Sequence, residues 1–262
     1  MLKMLRPYLS QFVKNSKIFW ALEKKYFFRN PKILGRHACL GAEVLGRLQG
    51  GANSVNFQKN RVDHVNRFKS RNLKLIKEED LREIIVREPI KYCVRRQSKD
   101  FHEMREFDFL IIDSFSELAD QAFLFDGNGF YSCYSDITEK ARANSKLESL
   151  GLLSVDRIED EYRTFFTNVS RQSPKGKIIY LHFPMIKEKR EHFLLRAKNI
   201  KLALETLENE FENLYVYSLD NNEADSLNSN DDDNFSYHYD SPVYEEFVRL
   251  IVKDFTELKR IA

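Results

Sequence analysis

At 262 residues, with 42% hydrophobic and 31% charged content, the chain has enough apolar material for a sizeable core and does not have the composition of a disordered protein. Its longest apolar stretches, such as Phe109 to Ile112 and Ile178 to Leu181, fall far short of the roughly 20 residues a membrane helix needs, so no transmembrane helix is expected. Net charge is only +2, yet residues 1–76 carry 16 Lys and Arg against 3 Asp and Glu, while the rest carries 26 against 37.

That basic first third either pairs with the acidic remainder or attracts an anion: a membrane surface, an acidic polymer, or the phosphates of a nucleotide or acyl-CoA donor. No nucleic-acid-binding motif accompanies it, so nucleic acid is not an expected partner. Residues 1–28 interleave apolar residues with lysines and lack a signal peptide's apolar run. Cys39, Cys93 and Cys133 are an odd number without a Cys-x-x-Cys pair, which fits reduced thiols and points to a cytoplasmic, or membrane-peripheral, protein.

In chain order, Met1 to Phe28 reads as one or two helices, a basic extension over residues 1–30, and Asn30-Pro31 breaks the chain. An α/β domain over residues 31–262 follows. Its first strand begins at Lys32-Ile33-Leu34 and ends at Gly35. Leu40, Val44 and Leu48 then mark the buried face of a helix that Gly50-Gly51 would end. Leu73 to Ile76 suggests a strand and Glu78 to Arg87 a helix, and Pro89 interrupts before Tyr92-Cys93-Val94. The nearly continuous apolar run Phe107 to Ile112, closed by Asp113, suits a strand covered on both faces, as does Lys177 to Phe183. Phe193, Ala197, Ile200, Leu204, Leu207 and Phe211 predict a long amphipathic helix, followed by a strand over Leu214 to Leu219. Asp220 to Asn234, with six acidic residues and five asparagines, reads as a mobile surface loop or lid. Ser241-Pro242 opens a closing helix with Tyr244, Phe247, Ile251, Phe255 and Leu258 on one face.

Strands alternating with helices predict a three-layer α/β/α fold on a central, mostly parallel sheet, flavodoxin-like in type. Ligands in such folds bind beyond the carboxyl ends of the strands, which selects the loops starting at Gly35, Asp113, His182 and Asp220 and the segment around His238. His238, between a polar loop and a helix, is a candidate general base, or a loop histidine whose tyrosine neighbours merely pack. Cys39 begins a helix, where the dipole favours a thiolate nucleophile, or is a small core residue. Asp113 either lines the site or, with Ser114, caps the next helix. Arg36 and His37 could hold a phosphate at a helix N-terminus. His182 reads as structural or site-lining. No histidine pair has metal-ligand spacing, and the glycine-rich phosphate, dinucleotide and Gly-x-Ser-x-Gly motifs are missing, so no metal or cofactor is expected.

The strand ending at Gly35, the strands Phe107 to Asp113 and Lys177 to Phe183, and the terminal His238-Tyr239-Asp240-Ser241-Pro242-Val243-Tyr244-Glu245-Glu246-Phe247 together resemble the SGNH (GDSL-like) hydrolase superfamily, from Lys32 to the C-terminus. Through Arg95-Arg96-Gln97-Ser98-Lys99-Asp100-Phe101, the chain looks closest to SGNH-like proteins of bacterial capsule and surface-polysaccharide gene clusters. The resemblance implies ester hydrolysis or acyl transfer on a carbohydrate, with His238 as base. It departs from the family pattern in three places. No serine follows Gly35, and Cys39 is the nucleophile-type side chain of that turn. Phe235 stands where an aspartate is expected, leaving Asp231 to Asp233 or Asp240 to substitute. Asp113 lies near the position of an asparagine donor, which an ionised aspartate cannot replace. Two other readings stay open: a non-catalytic binding or assembly protein of polysaccharide biosynthesis, and a glycosyl or phosphosugar transferase using Arg36 and His37.

Overall fold

The computed structural model describes residues 32–48, 54–68, 76–97, 106–228 and 237–259. The expected N-terminal helices, the helix stop at Gly50-Gly51, most of the strand expected at Leu73 to Ile76, the Ser98 to Phe101 part of the resemblance and the Asp231 to Asp233 segment lie outside the described residues.

A central sheet is built from β1 (Ile33–Arg36), β2 (Val55–Asn56), β3 (Phe109–Asp113), β7 (Lys177–His182) and β8 (Leu214–Ser218), in the order β2-β1-β3-β7-β8, with every neighbouring pair parallel. All five residues of β3 are buried, as are Ile178 to His182 of β7. Such continuous apolar runs form strands that helices cover on both faces. On one face α1 (Cys39–Arg47) packs with α10 (Ser241–Asp254), and on the other α2 (Val62–Phe68) and α8 (Glu191–Glu208) pack with α7 (Val155–Gln172), giving the three-layer α/β/α arrangement expected from the sequence. The strand order reverses between β1 and β3, and the crevice outside their carboxyl ends is where this topology binds ligands.

Several local expectations need correction. The helix expected over Glu78 to Arg87 is α3 (Glu78–Ile84), because Ile85 leaves it to pair with Ile137. Pro89 does not interrupt. It sits in the first turn of α4 (Glu88–Arg95), where a missing N–H costs nothing, and Tyr92 to Val94 are helical. The acidic loop expected from Asp220 is helical over α9 (Asn221–Leu227). Asp220 Oδ1 accepts the Glu223 N–H at 2.8 Å, and Ala224 is fully buried.

The largest difference lies between β3 and α7. Here α5 (Phe115–Ala119) leads into β4 (Asp120–Phe125), β5 (Asn128–Cys133), α6 (Glu139–Arg142) and β6 (Leu147–Gly151), and the strands form a second, antiparallel sheet ordered β5-β4-β6. Asp126 and Gly127, both at positive φ, form the tight turn of the β4–β5 hairpin. Phe123, Phe125 and Phe130 pack there with Leu81, Ile84, Ile90 and Ile137 in a small core of their own.

Candidate active site

The turn from β1 to α1 is built from backbone restraints. Asn56 clamps it by accepting the His37 N–H at 3.1 Å and donating to the His37 carbonyl at 3.0 Å. The His37 ring wedges between two glycines. A Cβ on Gly35 would fall 2.5 Å from His37 Nε2, and one on Gly41 2.3 Å from His37 Cβ, so neither position accepts a side chain without rearrangement. Asp113, at the end of β3, completes the turn. Its Oδ2 accepts the Ala38 N–H at 2.7 Å and the Gly41 N–H at 3.2 Å, and its Oδ1 accepts the Phe115 N–H at 3.2 Å. The carboxylate thus does the work of an N-cap for α1 from a neighbouring strand. Burial pushes its pKa up to about 7 against these donors.

Cys39 is the first residue of α1 and is half-buried. His238 is 199 residues later in the chain, and its Nε2 lies 3.3 Å from Cys39 Sγ. The segment bearing His238 is fixed on both sides. Tyr237 stacks edge-on against Phe115 and Phe183 and donates to Glu188 Oε2 at 3.1 Å. The Tyr239 N–H donates to the Tyr244 hydroxyl at 3.0 Å, and the Tyr239 hydroxyl donates to the Pro184 carbonyl. The tyrosine neighbours therefore pack, and in packing they aim the imidazole at the thiol. Burial, then nearby Asp113, push the Cys39 thiol above its ordinary pKa, with Lys59 and the Cys39 N–H pulling the other way. The resting side chain is a thiol whose proton a neighbouring base must accept as it attacks.

The pair opens onto a cleft of about 1110 Å³. Ala38, Cys39, Phe115, Tyr237 and His238 form its floor. Gln58 and Lys59, from the turn after β2, and Arg87, Cys133, Tyr134, Asp136 and Arg142, from around the second sheet, form one wall; Arg190, His192 and Phe193, at the start of α8, complete the lining. The wall is ordered by buried charge. Lys59 Nζ sits 2.8 Å from Asp120 Oδ1, 3.0 Å from Asp136 Oδ2 and 3.1 Å from Cys133 Sγ, on a backbone at φ 65° that a non-glycine residue adopts only where its surroundings enforce it. Burial alone would lower the Lys59 pKa, but the carboxylates more than reverse this, so it stays charged. Burial, reinforced by Asp120, holds the Cys133 thiol well above its ordinary pKa.

Of the residues expected at the site, the structure brings Cys39 and His238 together and places Asp113 directly beneath them as support, away from the cleft lining. Arg36, His37, Ser114 and His182, expected at the substrate, do not line the cleft. Arg36 is buried in a two-pronged bond to Glu117, at 2.8 and 3.0 Å, so its charge is spent inside the protein. His37 is wedged in the turn, and burial drops its pKa to about 4, so it carries no charge for a phosphate at neutral pH. Ser114 accepts the Phe183 N–H at 3.1 Å, tying β3 to β7, and makes no side-chain cap on α5. His182 is buried at the end of β7 with its pKa lowered to about 4, by burial first and then by Lys201. The sequence reading missed Gln58, Lys59, Asp136 and the three arginines of the cleft. No periodicity marks them, and Phe57-Gln58-Lys59-Asn60-Arg61 reads as an ordinary polar loop. Among the described residues, no cluster of His, Cys, Asp and Glu could hold a metal ion, and no helix is long and apolar enough to cross a membrane.

No family model matches the chain, and no curated protein matches it. Among solved structures it is similar to an acetyl xylan esterase (Est2A) from the rumen bacterium Butyrivibrio proteoclasticus, at 13% identity and a TM-score of 0.33. That likeness covers 83% of this chain, which spans 55% of the length of the esterase. The chemistry of the cleft therefore has to be read from this chain's own residues.

Proposed function

We propose that the protein is a cysteine-dependent acyl-ester hydrolase or O-acyltransferase acting on a carbohydrate. The 3.3 Å approach of His238 Nε2 to Cys39 Sγ, at the floor of a large cleft outside the β1 and β3 carboxyl ends, carries this reading. Cys39 Sγ attacks the acyl carbonyl carbon as His238 Nε2 takes the thiol proton. The tetrahedral intermediate then expels the sugar alcohol, which receives that proton, and leaves an acyl thioester on Cys39. A water or an acceptor hydroxyl, deprotonated by His238, attacks the thioester and releases an acid or a new ester, and the sulfur regains its proton. The Cys39 N–H in the first turn of α1 and the Gln58 side-chain amide are the candidate donors to the oxyanion.

A saccharide fits the lining of the cleft, which combines aromatic faces at Tyr134, Phe193 and Tyr237 with amides at Gln58 and Gln121. Its placement in surface-polysaccharide synthesis rests on the sequence resemblance alone, as does any acyl-CoA donor. The test is turnover of activated short-chain acyl esters and acetylated sugars by wild type, Cys39→Ala and His238→Ala, with circular dichroism as the folding control. Both variants are expected to lose at least 100-fold, with acyl-enzyme mass trapped on Cys39 in the wild type. Loss in His238→Ala alone would move the nucleophile, and Cys133 lines the same cleft. Full turnover by His238→Ala, or none by the wild type on either class of ester, would overturn the reading.

A further inference from the structure

Charge in the cleft is unbalanced in a way the acyl-transfer chemistry does not use. Its lining contains four cations, Lys59, Arg87, Arg142 and Arg190, and a single carboxylate, Asp136. Most of these cations already have partners: Lys59 is held by Asp120 and Asp136, Arg87 reaches Asp136 at 2.5 Å, and Arg190 donates through Nε and Nη2 to the two carboxylate oxygens of Glu188. Arg142 differs. Its guanidinium lies over the Tyr134 ring, 4.6 Å from the centroid, and no carboxylate among the described residues pairs with it. Tyr134 and Asp136 share one 3₁₀ turn, Tyr134–Asp136, so Arg142 and Arg87 are presented from neighbouring points of the same wall, the first on the tyrosine and the second on the aspartate two residues later. Counting the buried carboxylates that reach the cleft cations, Asp120, Asp136 and Glu188, one positive charge is left over, and it belongs to the wall.

We infer that this wall is an oxyanion subsite and that the saccharide is acidic, carrying one carboxylate or phosphate that Arg142 and Arg87 receive. Planar guanidinium groups suit this task because they meet a carboxylate or phosphate through paired N–H donors, and stacking on Tyr134 leaves the in-plane N–H groups of Arg142 available. The cleft, at about 1110 Å³, has room for a sugar unit between this wall and the thiol, so the acid group would fix which ester is presented to Cys39. The inference rests on the carbohydrate reading above, but it can be tested by binding, without turnover.

The experiment titrates the full chain with glucuronate, glucose 6-phosphate and glucose, following heat of binding and thermal stabilisation, in wild type, Arg142→Gln, Arg87→Gln and Arg171→Gln. The last makes the same charge change on α7, outside the cleft. Acidic sugars should bind at least tenfold more tightly than glucose, with the difference shrinking as salt is raised. Arg142→Gln should remove most of that preference, Arg87→Gln part of it, and Arg171→Gln none. Glucuronate binding alone would identify the group as a carboxylate, and equal binding of the phosphosugar a general oxyanion. Glucose binding as well as the acidic sugars, or Arg142→Gln matching Arg171→Gln, would overturn the subsite. Ester turnover by the wild type is measured separately: acidic-sugar binding without any turnover would sink the acyl-transfer reading and keep the subsite, and turnover without acidic preference would do the reverse.

Discussion

The floor and the wall of the cleft are built by opposite means. The floor is a parallel sheet whose central strands, β3 and β7, are apolar along almost their full length, and whose helices close over it with Leu40, Val44, Ile200, Leu204, Phe247 and Ile251, all fully buried. The wall is an antiparallel sheet with a small core, and its third strand, β6, is largely exposed. What joins the two is buried charge. Arg36 of β1 grips Glu117 of α5, whose Oε1 also accepts the Val62 N–H at 2.9 Å. Arg61 pairs with Asp63 and donates to the carbonyls of Asp120 and Gly151. Apolar burial gives the floor cohesion without direction, whereas charge pairs and backbone acceptors fix one register of wall on floor. Such pairs seldom add net stability over an apolar replacement, but they are costly to break singly.

The largest test of this contrast is the junction. Glu117→Ala leaves the buried Arg36 guanidinium without its carboxylate, holding the Asn60 carbonyl at 2.8 Å, and leaves the Val62 N–H without its acceptor, and the expected loss is on the order of 3–5 kcal/mol in urea unfolding. Replacing both partners, as Arg36→Met with Glu117→Leu, should cost clearly less than the single change. A loss under about 1 kcal/mol for Glu117→Ala would mean that the pair is not what joins wall to floor.

A smaller effect is expected within the wall. Thr138 Oγ1 caps α6 by accepting the Ala141 N–H at 3.1 Å, and its hydroxyl donates to the Glu83 carbonyl at 2.9 Å, pinning α6 to α3. Thr138→Ala should cost about 1 kcal/mol, and Thr138→Ser should restore most of it. In native-state hydrogen exchange the quickening should stay in α3, α6 and the β4–β5 hairpin. Equal quickening in β3 and β7 would show the two regions opening as one unit.

The same contrast explains what the sequence could disclose. The parallel strands were readable because burial on both faces demands unbroken apolar runs, as at Phe109 to Ile112 and Ile178 to Leu181. The wall was not, because β4 and β5 mix buried and half-buried positions, and polar residues such as Asp120, Asn128 and Ser132 are themselves buried there. Cys39 and His238 could each be singled out locally, but their meeting across 199 residues is a product of topology. Lys59 carried no signal at all, since nothing in a polar loop says that a lysine will be enclosed by two aspartates and a thiol. Asp220 did carry one: Asp-Asn-Asn-Glu is an aspartate followed at the third position by glutamate, a helix-start pattern that the acidic composition obscured.

The smallest expected effect concerns Asp113, the one carboxyl on the described strands of the central sheet. Asp113 is held by backbone N–H groups instead of a paired cation, and burial pushes its pKa from 3.8 up to about 7 against the opposing pull of the Gly41, Ala38 and Phe115 N–H groups and of Arg36. A carboxyl whose folded pKa is raised holds its proton more tightly in the native state, so its contribution to stability falls as pH rises from about 4 to about 7 and then levels off. His37 and His182, lowered from 6.5 to about 4, act in the opposite sense: the unfolded chain binds more protons between those values, and stability rises across that window. Between pH 6.5 and 8 the unfolded imidazoles lose their remaining protons, so the histidine gain continues and offsets an Asp113 loss of similar size, each less than about 1 kcal/mol. The buried charge pairs add nothing there, because Lys59 and Arg36 titrate far above the window, and Asp63 and Asp136 are held below their ordinary range by Arg61 and Lys59 against the opposing effect of burial. Asp113→Asn, which keeps one side-chain oxygen for the Ala38 N–H, should lower stability throughout but leave the histidine rise uncompensated, so that its urea midpoint climbs relative to wild type between pH 6.5 and 8. If the variant and the wild type keep parallel midpoints over that range, the floor's pH response arises elsewhere, and the polar support beneath Cys39 is as insensitive to protons as the paired charges of the wall.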